Sequence, residues 1–488
     1  MAVPLIFAAV LFYLSFPNYF SLYGLWPLAA VFAVPLFFTF EKRSLTRRII
    51  LGFLFGLLAN GLAVNWMIPY SFKGYVFLVL VLAVQPVLFA VLYPRRAFRN
   101  PLLKMIYVPA AWVVSEYVRA LAMRGESWNL AHTQTFHLPL LQLANLLGSY
   151  SISFVLMVVN ICIYQAILES RNFKNDISVA VALVAVVYGY GYLSLQPSLM
   201  NEGAFRLGAL QPNINYRGQF GRERLMNIAE DHLNLTAAAL KRSKPDLIVW
   251  PETAVPTDIL ADAEMKNRIQ DVVRTSRVPL LTGAALQKDG QDHNSAVVFD
   301  RQGEVAGVYH KQYLVPLSEY IPAGVFWKTS ARIFKIESFG FAPGRDSGVM
   351  PVPETTKKFA VLICSEDNIS SLMRRNAGDG ADFAVVLLNN GWLFQKSGLV
   401  MHGQHSIMRA VENGLPVVRV ANTGWSCLID PKGRVVDGSF DSLGRRMFFE
   451  YRIPPGTRRT LYNIIGDTFC WLCAAFVIMS PLVMRDDR

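Results

Sequence analysis

The chain has 488 residues, 53% hydrophobic and only 17% charged, with a formal net charge of +12. That balance is too apolar for a soluble protein of this length and predicts several membrane spans. Many of the basic residues flank apolar segments and accompany no recognised basic fold, which argues against nucleic acid as a partner and for anionic lipid head groups.

In chain order, apolar runs of spanning or near-spanning length occupy residues 3–17, 25–40, 49–69, 75–93, 102–122, 139–168, 178–195 and 463–484, predicting eight spans. The first is interrupted by Pro17, and the sixth starts after Pro139 and is broken by Gly148. Residues 1–16 lack a basic leader and no clear small-x-small cleavage site follows, which predicts a retained signal-anchor rather than a cleaved signal peptide. Lys42 and Arg43 to Arg47 and Arg48, then Arg95, Arg96, Arg99 and Lys104, then Arg171 and Lys174, mark cytoplasmic segments. The alternate loops carry fewer positive charges. An even number of spans then places residues 196–462 outside and returns the tail, with Arg485 and Arg488, to the cytoplasm. The predicted domains are a transmembrane domain of about seven helices (1–195), an extracytoplasmic domain (196–462), and a last span with its tail (463–488).

From Phe205 to Tyr451 the texture changes to short β-rich runs alternating with amphipathic stretches. Strands are predicted at 206–211, 247–250, 279–282, 295–299, 305–310, 359–363, 383–388, 416–420 and 427–429. Helices are predicted at 223–242, 263–276, 369–377 and 403–412, the last closed by Asn413-Gly414 with Pro416 beyond it. Asp430-Pro431-Lys432-Gly433 reads as a turn between two strands. The alternation predicts a layered α/β domain.

Three islands in this domain carry chemistry: Trp250-Pro251-Glu252, His310-Lys311 running on to Glu319-Tyr320, and Leu362-Ile363-Cys364-Ser365-Glu366. A glutamate, a lysine and a cysteine, each near the end of a predicted strand, suit acyl transfer through a thioester. The thiolate attacks, the carboxylate moves protons and the ammonium favours the thiolate and holds the developing oxyanion. Cys162, Cys470 and Cys473 lie in apolar runs and read as packing residues; Cys470 and Cys473 form a C-x-x-C with no second pair. His402 and His405 stand at helical spacing without a third ligand, so surface or capping roles are expected and no metal.

The islands, with Gln211-Pro212-Asn213, the run from His402 through Arg409 to Glu412-Asn413-Gly414, Arg419 and Asn422-Thr423-Gly424, resemble the carbon–nitrogen hydrolase (nitrilase) superfamily. Glu116, Arg119, Gly125 through Trp128-Asn129, Gln134, Gln142, Asn145, Gly148 and Ser153-Phe154 resemble its membrane-embedded branch, the bacterial apolipoprotein N-acyltransferases. This resemblance implies a nitrilase-like four-layer αββα sandwich with Cys364 as nucleophile, Glu252 as base and Lys311 as oxyanion partner. Glu319 and Glu366 match supporting acidic positions, and each also reads as an ordinary ion-pair partner.

Three features depart from the family pattern. Ser365 follows the cysteine where an aromatic is usual, Asn389-Asn390-Gly391-Trp392-Leu393-Phe394 stands where the branch tends to show Asn-Asp-(Ala/Ser)-Trp-Phe-Gly, and Asp367-Asn368 is unusually polar. These touch the pocket walls rather than the triad.

Ile321–Phe341 reads as a long loop whose Phe326 and Trp327 either pack on the domain or dip into the membrane interface as a cover, with Trp392, Leu393 and Phe394 as a second arm. The resemblance further implies a bacterial inner-membrane enzyme with an extracytoplasmic catalytic domain and no cofactor. Its acyl donor would be a phospholipid, phosphatidylethanolamine, and its acceptor the α-amine of a diacylglyceryl-modified apolipoprotein. A membrane-tethered amidase or nitrilase using water, and a non-catalytic lipoprotein-binding protein, are the alternatives.

Overall fold

The structure is a computed structural model and describes residues 2–94, 101–168, 173–195, 205–215, 221–391, 393, 395–437, 440–457 and 459–480. Arg95, Arg96, Arg99, Arg171, Arg485 and Arg488, together with Trp392 and Phe394, lie outside the described residues.

The chain begins with helices α1 (Ala2–Ser15), α2 (Ala33–Phe40), α3 (Leu45–Ala63), α4 (Phe72–Leu82), α5 (Val84–Leu92), α6 (Pro101–Met123), α7 (Leu138–Leu141), α8 (Ala144–Leu147), α9 (Ser149–Leu168) and α10 (Phe173–Ser194). Next come β1 (Phe205–Gln211), α11 (Arg222–Leu240), β2 (Leu247–Val249), α12 (Ala263–Ser276), β3 (Leu280–Lys288), β4 (Gln291–Phe299) and β5 (Val305–His310). After α13 (Val325–Phe334) follow β6 (Val349–Pro351), β7 (Lys358–Ile363), α14 (Ser370–Gly378), β8 (Phe383–Leu388) and α15 (Lys396–Asn413). The chain ends with β9 (Val417–Ala421), β10 (Cys427–Ile429), β11 (Val435–Asp437), β12 (Met447–Ile453), α16 (Leu461–Ile465) and α17 (Thr468–Met479). It divides into two compact units, Met1–Gln196 with Phe394–Glu412 and Arg459–Arg488, and Pro197–Leu393 with Asn413–Arg458.

In the helical unit, four helices among the described residues are long and apolar enough to cross a membrane: Leu45–Ala63, Phe72–Leu92, Ser149–Leu168 and Ile177–Ser194. Four shorter apolar helical stretches, Ala2–Ser15, Trp26–Phe40, Leu138–Leu147 and Thr468–Met479, occupy other apolar segments of the sequence. The segment 139–168 is divided at Gly148, whose φ of 79° ends α8 before α9 begins. A Cβ there would lie 2.7 Å from the Tyr462 ring, so both the backbone angle and the close approach call for glycine.

Helix α15 belongs to this unit, whereas a division at residue 196 read along the sequence assigns it to the α/β part. Polar contacts hold it there. Gln404 donates to the His132 carbonyl and to Thr135 Oγ1, both at 2.8 Å, Arg409 pairs with Glu126 at 2.7 Å, and Glu412 accepts the Ser149 N–H at 3.0 Å. The expected surface role of His405 is corrected for the same reason: it is buried, with Nδ1 3.1 Å from His132 Nε2.

The α/β unit is built on two six-stranded sheets, ordered β12-β1-β2-β3-β4-β5 and β11-β10-β9-β8-β7-β6. Strands β1, β2 and β3 run parallel, as do β7, β8 and β9; the remaining pairings are antiparallel. Strand alternation makes both faces of the first sheet apolar. Leu247 and Val249 of β2 join Val361, Ile363, Val385 and Leu387 in the core between the sheets. Ile248 and Trp250 face the other way, against Ala229 and Leu233 of α11 and Met265, Ile269 and Val273 of α12. Helix α14 packs on β7 with Leu372 and Met373 buried, completing the αββα layering.

Several elements differ from the sequence-based expectation. Strands β3 and β4 form a longer hairpin through Asp289 (φ 52°) and Gly290 (φ 73°), both left-handed as a two-residue turn of this kind requires. Strands β6, β11 and β12 are additional to the predicted set, although Phe449, Tyr451 and Ile453 of β12 alternate inward toward the core. The stretch expected to be a loop contains α13, entered from Gly324 and closed by a left-handed Lys335.

Candidate active site

The first carboxylate stands just beyond β2. Trp250 is fully buried and its indole N–H donates to Thr236 Oγ1 at 2.9 Å. Burying a ring of this size contributes about 1.5–3 kcal/mol, enough to fix where the following turn begins. Gly283 on β3 lies beneath that turn: a Cβ there would sit 2.5 Å from the Thr253 nitrogen. Glu252 is buried, with Oε1 accepting from Asn294 Nδ2 at 2.9 Å and Oε2 accepting the Asn389 N–H at 2.8 Å.

Lys311 follows β5, and its backbone N–H continues the ladder to the Asn294 carbonyl at 2.8 Å. Ala296 and Tyr309 are paired across β4 and β5 and belong to the inter-sheet core. Asn294 and Lys311, two residues further along each strand, therefore face the same way. The Lys311 ammonium lies 3.0 Å from Glu319 Oε1 and 2.9 Å from its Oε2, with both side chains buried. Glu319 is held in turn by Asn294 Nδ2 at 3.0 Å and the Val315 N–H at 2.8 Å.

Cys364 stands at the end of β7 on the second sheet, where the strand turns into a single 3-10 turn, Cys364–Asn368. Its φ of 53° is left-handed, and Thr253 (46°) and Leu317 (65°) carry the same conformation beside Glu252 and Glu319. Non-glycine residues held there cost of order 1–3 kcal/mol each, and such strain collects at functional sites. Glu366 binds the turn to the lysine segment. Its Oε1 accepts the Tyr309 hydroxyl at 2.8 Å and the N–H groups of Gln312 and Tyr313 at 2.7 and 3.1 Å, and its Oε2 accepts the Ile363 N–H at 2.9 Å. Asp367, expected from the sequence in a pocket wall, is fully buried and pairs with Arg419 of β9 at 2.7 Å. Two buried opposite charges need each other, and the unusual polarity after Glu366 is thereby explained.

The charges act on one another strongly. Burial raises the pKa of Glu252 above the ordinary carboxylate range, against the lowering pull of Lys311 and the hydrogen bonds from Asn294 and Asn389. For Lys311, burial works against the ammonium, but the charges of Glu319, Cys364 and Glu252 outweigh it and hold it protonated. Cys364 keeps part of its surface open, yet the packing around it and then the charge of Glu252 push its pKa well up, and Lys311 only partly offsets them. Lys311 acts in the expected direction, toward the thiolate, but burial and Glu252 outweigh it. The Lys311 ammonium is already paired with Glu319, which limits how far it can offset the burial of the thiol.

Glu252, Lys311 and Glu319 are thus joined in one network on the first sheet, and Cys364 and Glu366 stand at the end of β7 on the facing one. Among the outlying candidates, Phe326 is 60% exposed on α13, with its ring 5.2 Å from that of half-buried Trp327. Leu393 is buried and presents no outward face. Among the described residues, no group of three or more His, Cys, Asp or Glu is arranged to hold a metal ion. Sequence reasoning missed Asn294, Tyr309 and the Asn389 N–H. For Asn294 a signal existed: a lone amide on the inward register of β4, in line with Ala296 and Val298.

Residues 206–443 match the carbon–nitrogen hydrolase family, and residues 8–162 match the apolipoprotein N-acyltransferase N-terminal domain. The two stacked sheets and the first of these matches define the α/β unit as a nitrilase-superfamily domain. A protein of Geobacter metallireducens named apolipoprotein N-acyltransferase is 28% identical over 98% of this chain and 94% of its own length. One of Bradyrhizobium diazoefficiens with the same name is 28% identical over 86% of this chain and 80% of its own. Among solved structures, an amidase from Nesterenkonia sp. has a TM-score of 0.38 and 18% identity, covering 52% of this chain and 93% of that one. The chain belongs to the apolipoprotein N-acyltransferase family.

Proposed function

We propose that this integral membrane protein moves an acyl chain from a phospholipid, through a thioester on Cys364, to the α-amine of the diacylglyceryl-cysteine of an apolipoprotein. The observation that carries this reading is the buried Glu252–Asn294–Glu319–Lys311 network in a unit whose strand β7 ends at Cys364. Phosphatidylethanolamine is the donor, and the α/β unit lies on the extracytoplasmic side of the bacterial inner membrane.

In the first step Cys364 Sγ attacks the ester carbonyl carbon while its proton passes to Glu252. The S–C bond forms, the ester C–O bond breaks, and the departing lysophospholipid oxygen takes the proton back from Glu252. In the second step the acceptor amine attacks the thioester carbonyl, the C–N bond forms and the C–S bond breaks. The amine proton moves by way of Glu252 to the leaving sulfur. Lys311, kept charged by Glu319, faces the oxyanion in both steps. Glu366 holds the cysteine turn against the lysine segment.

Intact mass spectrometry of the full chain after exposure to phosphatidylethanolamine tests this reading. An acyl adduct is expected on Cys364, absent from Cys364→Ala, and discharged by a synthetic diacylglyceryl-cysteine peptide to an amide. An adduct that persists in the alanine variant overturns the assignment; one discharged only by water makes the protein a hydrolase.

A further inference from the structure

We propose that Asn294 is a positioning residue for Glu252: its side-chain amide gives one N–H to each of the two carboxylates of the site and so keeps Glu252 ionised and aimed. The inference rests on the reading that Cys364 is acylated. Asn294 is 3% exposed, and its Nδ2 lies 2.9 Å from Glu252 Oε1 and 3.0 Å from Glu319 Oε1. An amide nitrogen carries two hydrogens, and both are used. Its Oδ1 is buried without a hydrogen-bond partner among the described residues. Turning the amide over would bring that oxygen against two carboxylate oxygens, so the orientation is chemically forced. A buried amide that leaves its acceptor unpaired is there for its donors.

The charge balance shows why this matters. Lys311 gives its ammonium to both oxygens of Glu319. Glu252 is left with neutral donors, the Asn294 amide on one oxygen and the Asn389 N–H on the other. The Asn294 carbonyl also accepts the Lys311 N–H, so one residue registers both carboxylates and the lysine backbone. Without the amide, the two carboxylates face each other across an unfilled gap. Like-charged neighbours of that kind raise the pKa of one partner, so Glu252 would hold its proton at a higher pH. A base works only when ionised, so the acid side of the pH profile for acylation must then move upward.

The test is single-turnover acylation of Cys364 by a short soluble ester, p-nitrophenyl butyrate, followed by intact mass across pH, with the full chain in detergent. Wild type, Asn294→Leu (similar shape, no donors) and Asn294→Asp (same shape, acceptor-only when ionised) are compared, with melting temperature read for each. Both variants should acylate at least about tenfold more slowly at neutral pH, with the acid limb raised by about one pH unit. If Asn294→Leu does not fold, Asn294→Ala, which removes both donors without adding a charge, decides. An unmoved limb, whatever the fall in rate or melting temperature, overturns the proposal and leaves Asn294 a structural residue. A wild-type chain that forms no adduct on Cys364 overturns the thioester reading as well, which separates the two failures.

Discussion

The Lys311 ammonium is gripped by both oxygens of Glu319, at 3.0 and 2.9 Å, with both side chains buried. A lysine so held cannot swing away or give up its proton easily, which suits a fixed oxyanion partner better than a proton shuttle. Lys311→Met should therefore slow thioester formation by about 10²–10³ fold. It should also lower stability by about 3–5 kcal/mol, because Glu319 loses its buried counter-charge. Glu319→Gln keeps the shape and should cost less on both counts. Single-turnover acylation and thermal melting check this; a fall below tenfold for Lys311→Met removes Lys311 from the site.

As the proposed base, Glu252 should set the acid side of the rate profile. Burial raises its pKa above that of an ordinary carboxylate. The base is the anion, so acylation should fall as pH drops through that raised value, at a higher pH than an exposed glutamate would give. Glu252→Gln should remove the limb and lower the rate by about 10²–10⁴ fold. A profile of unchanged shape in the glutamine variant would assign the limb to another group.

Arg419 and Asp367 form an ion pair in which neither side chain is exposed. Arg419→Leu strands a buried carboxylate three residues after Cys364 and should cost about 3–5 kcal/mol. Adding Asp367→Leu should recover much of that loss, because a buried pair replaced by apolar groups is often near neutral. Melting of the single and double variants decides it. A double variant no more stable than Arg419→Leu alone would show that the pair does more than balance charge.

Helix α13 exposes Val325, Phe326 and Ile333 while carrying Lys328 and Arg332. If it meets the membrane interface, Phe326→Asn with Ile333→Asn should weaken turnover of long-chain phospholipid by about tenfold or more. The basis is about 1.5–3 kcal/mol for each apolar side chain that lipid no longer covers. A short soluble ester should react as before. Equal losses on both substrates, with a lower melting temperature, would return α13 to a packing role.

The hairpin tip at Asp289-Gly290 offers a topological probe because it is exposed. Asp289→Cys in intact cells with a permeable outer envelope should react with an impermeant maleimide. Reaction only after the inner membrane is opened would put the α/β unit on the cytoplasmic side and remove its access to exported lipoproteins.

Hydropathy and strand period act over a few neighbouring residues, and what depends on them is legible in the chain alone. The apolar segments announce their helices because an isolated charge in hydrocarbon is costly wherever it falls. Asp430-Pro431-Lys432-Gly433 announces its turn because Asp430 Oδ1 accepts the N–H groups of Lys432 and Arg434 at 2.8 Å, contacts made within four residues. Glu252, Lys311 and Cys364 are readable as candidates because each closes a recognisable strand.

What joins them was decided by folding. Asn294 is 42 residues from Glu252, and the Asn389 N–H is 137 residues from it, so no local pattern marks either as a partner. The same holds for α15: its attachment to the helical unit rests on Gln404 and Arg409 meeting His132 and Glu126, 272 and 283 residues away. The balance of burial and charge around Cys364 was beyond reach for a related reason. Whether lysine or glutamate governs a thiol depends on burial and on how many carboxylates share one ammonium, and both are properties of the packed site rather than of the chain.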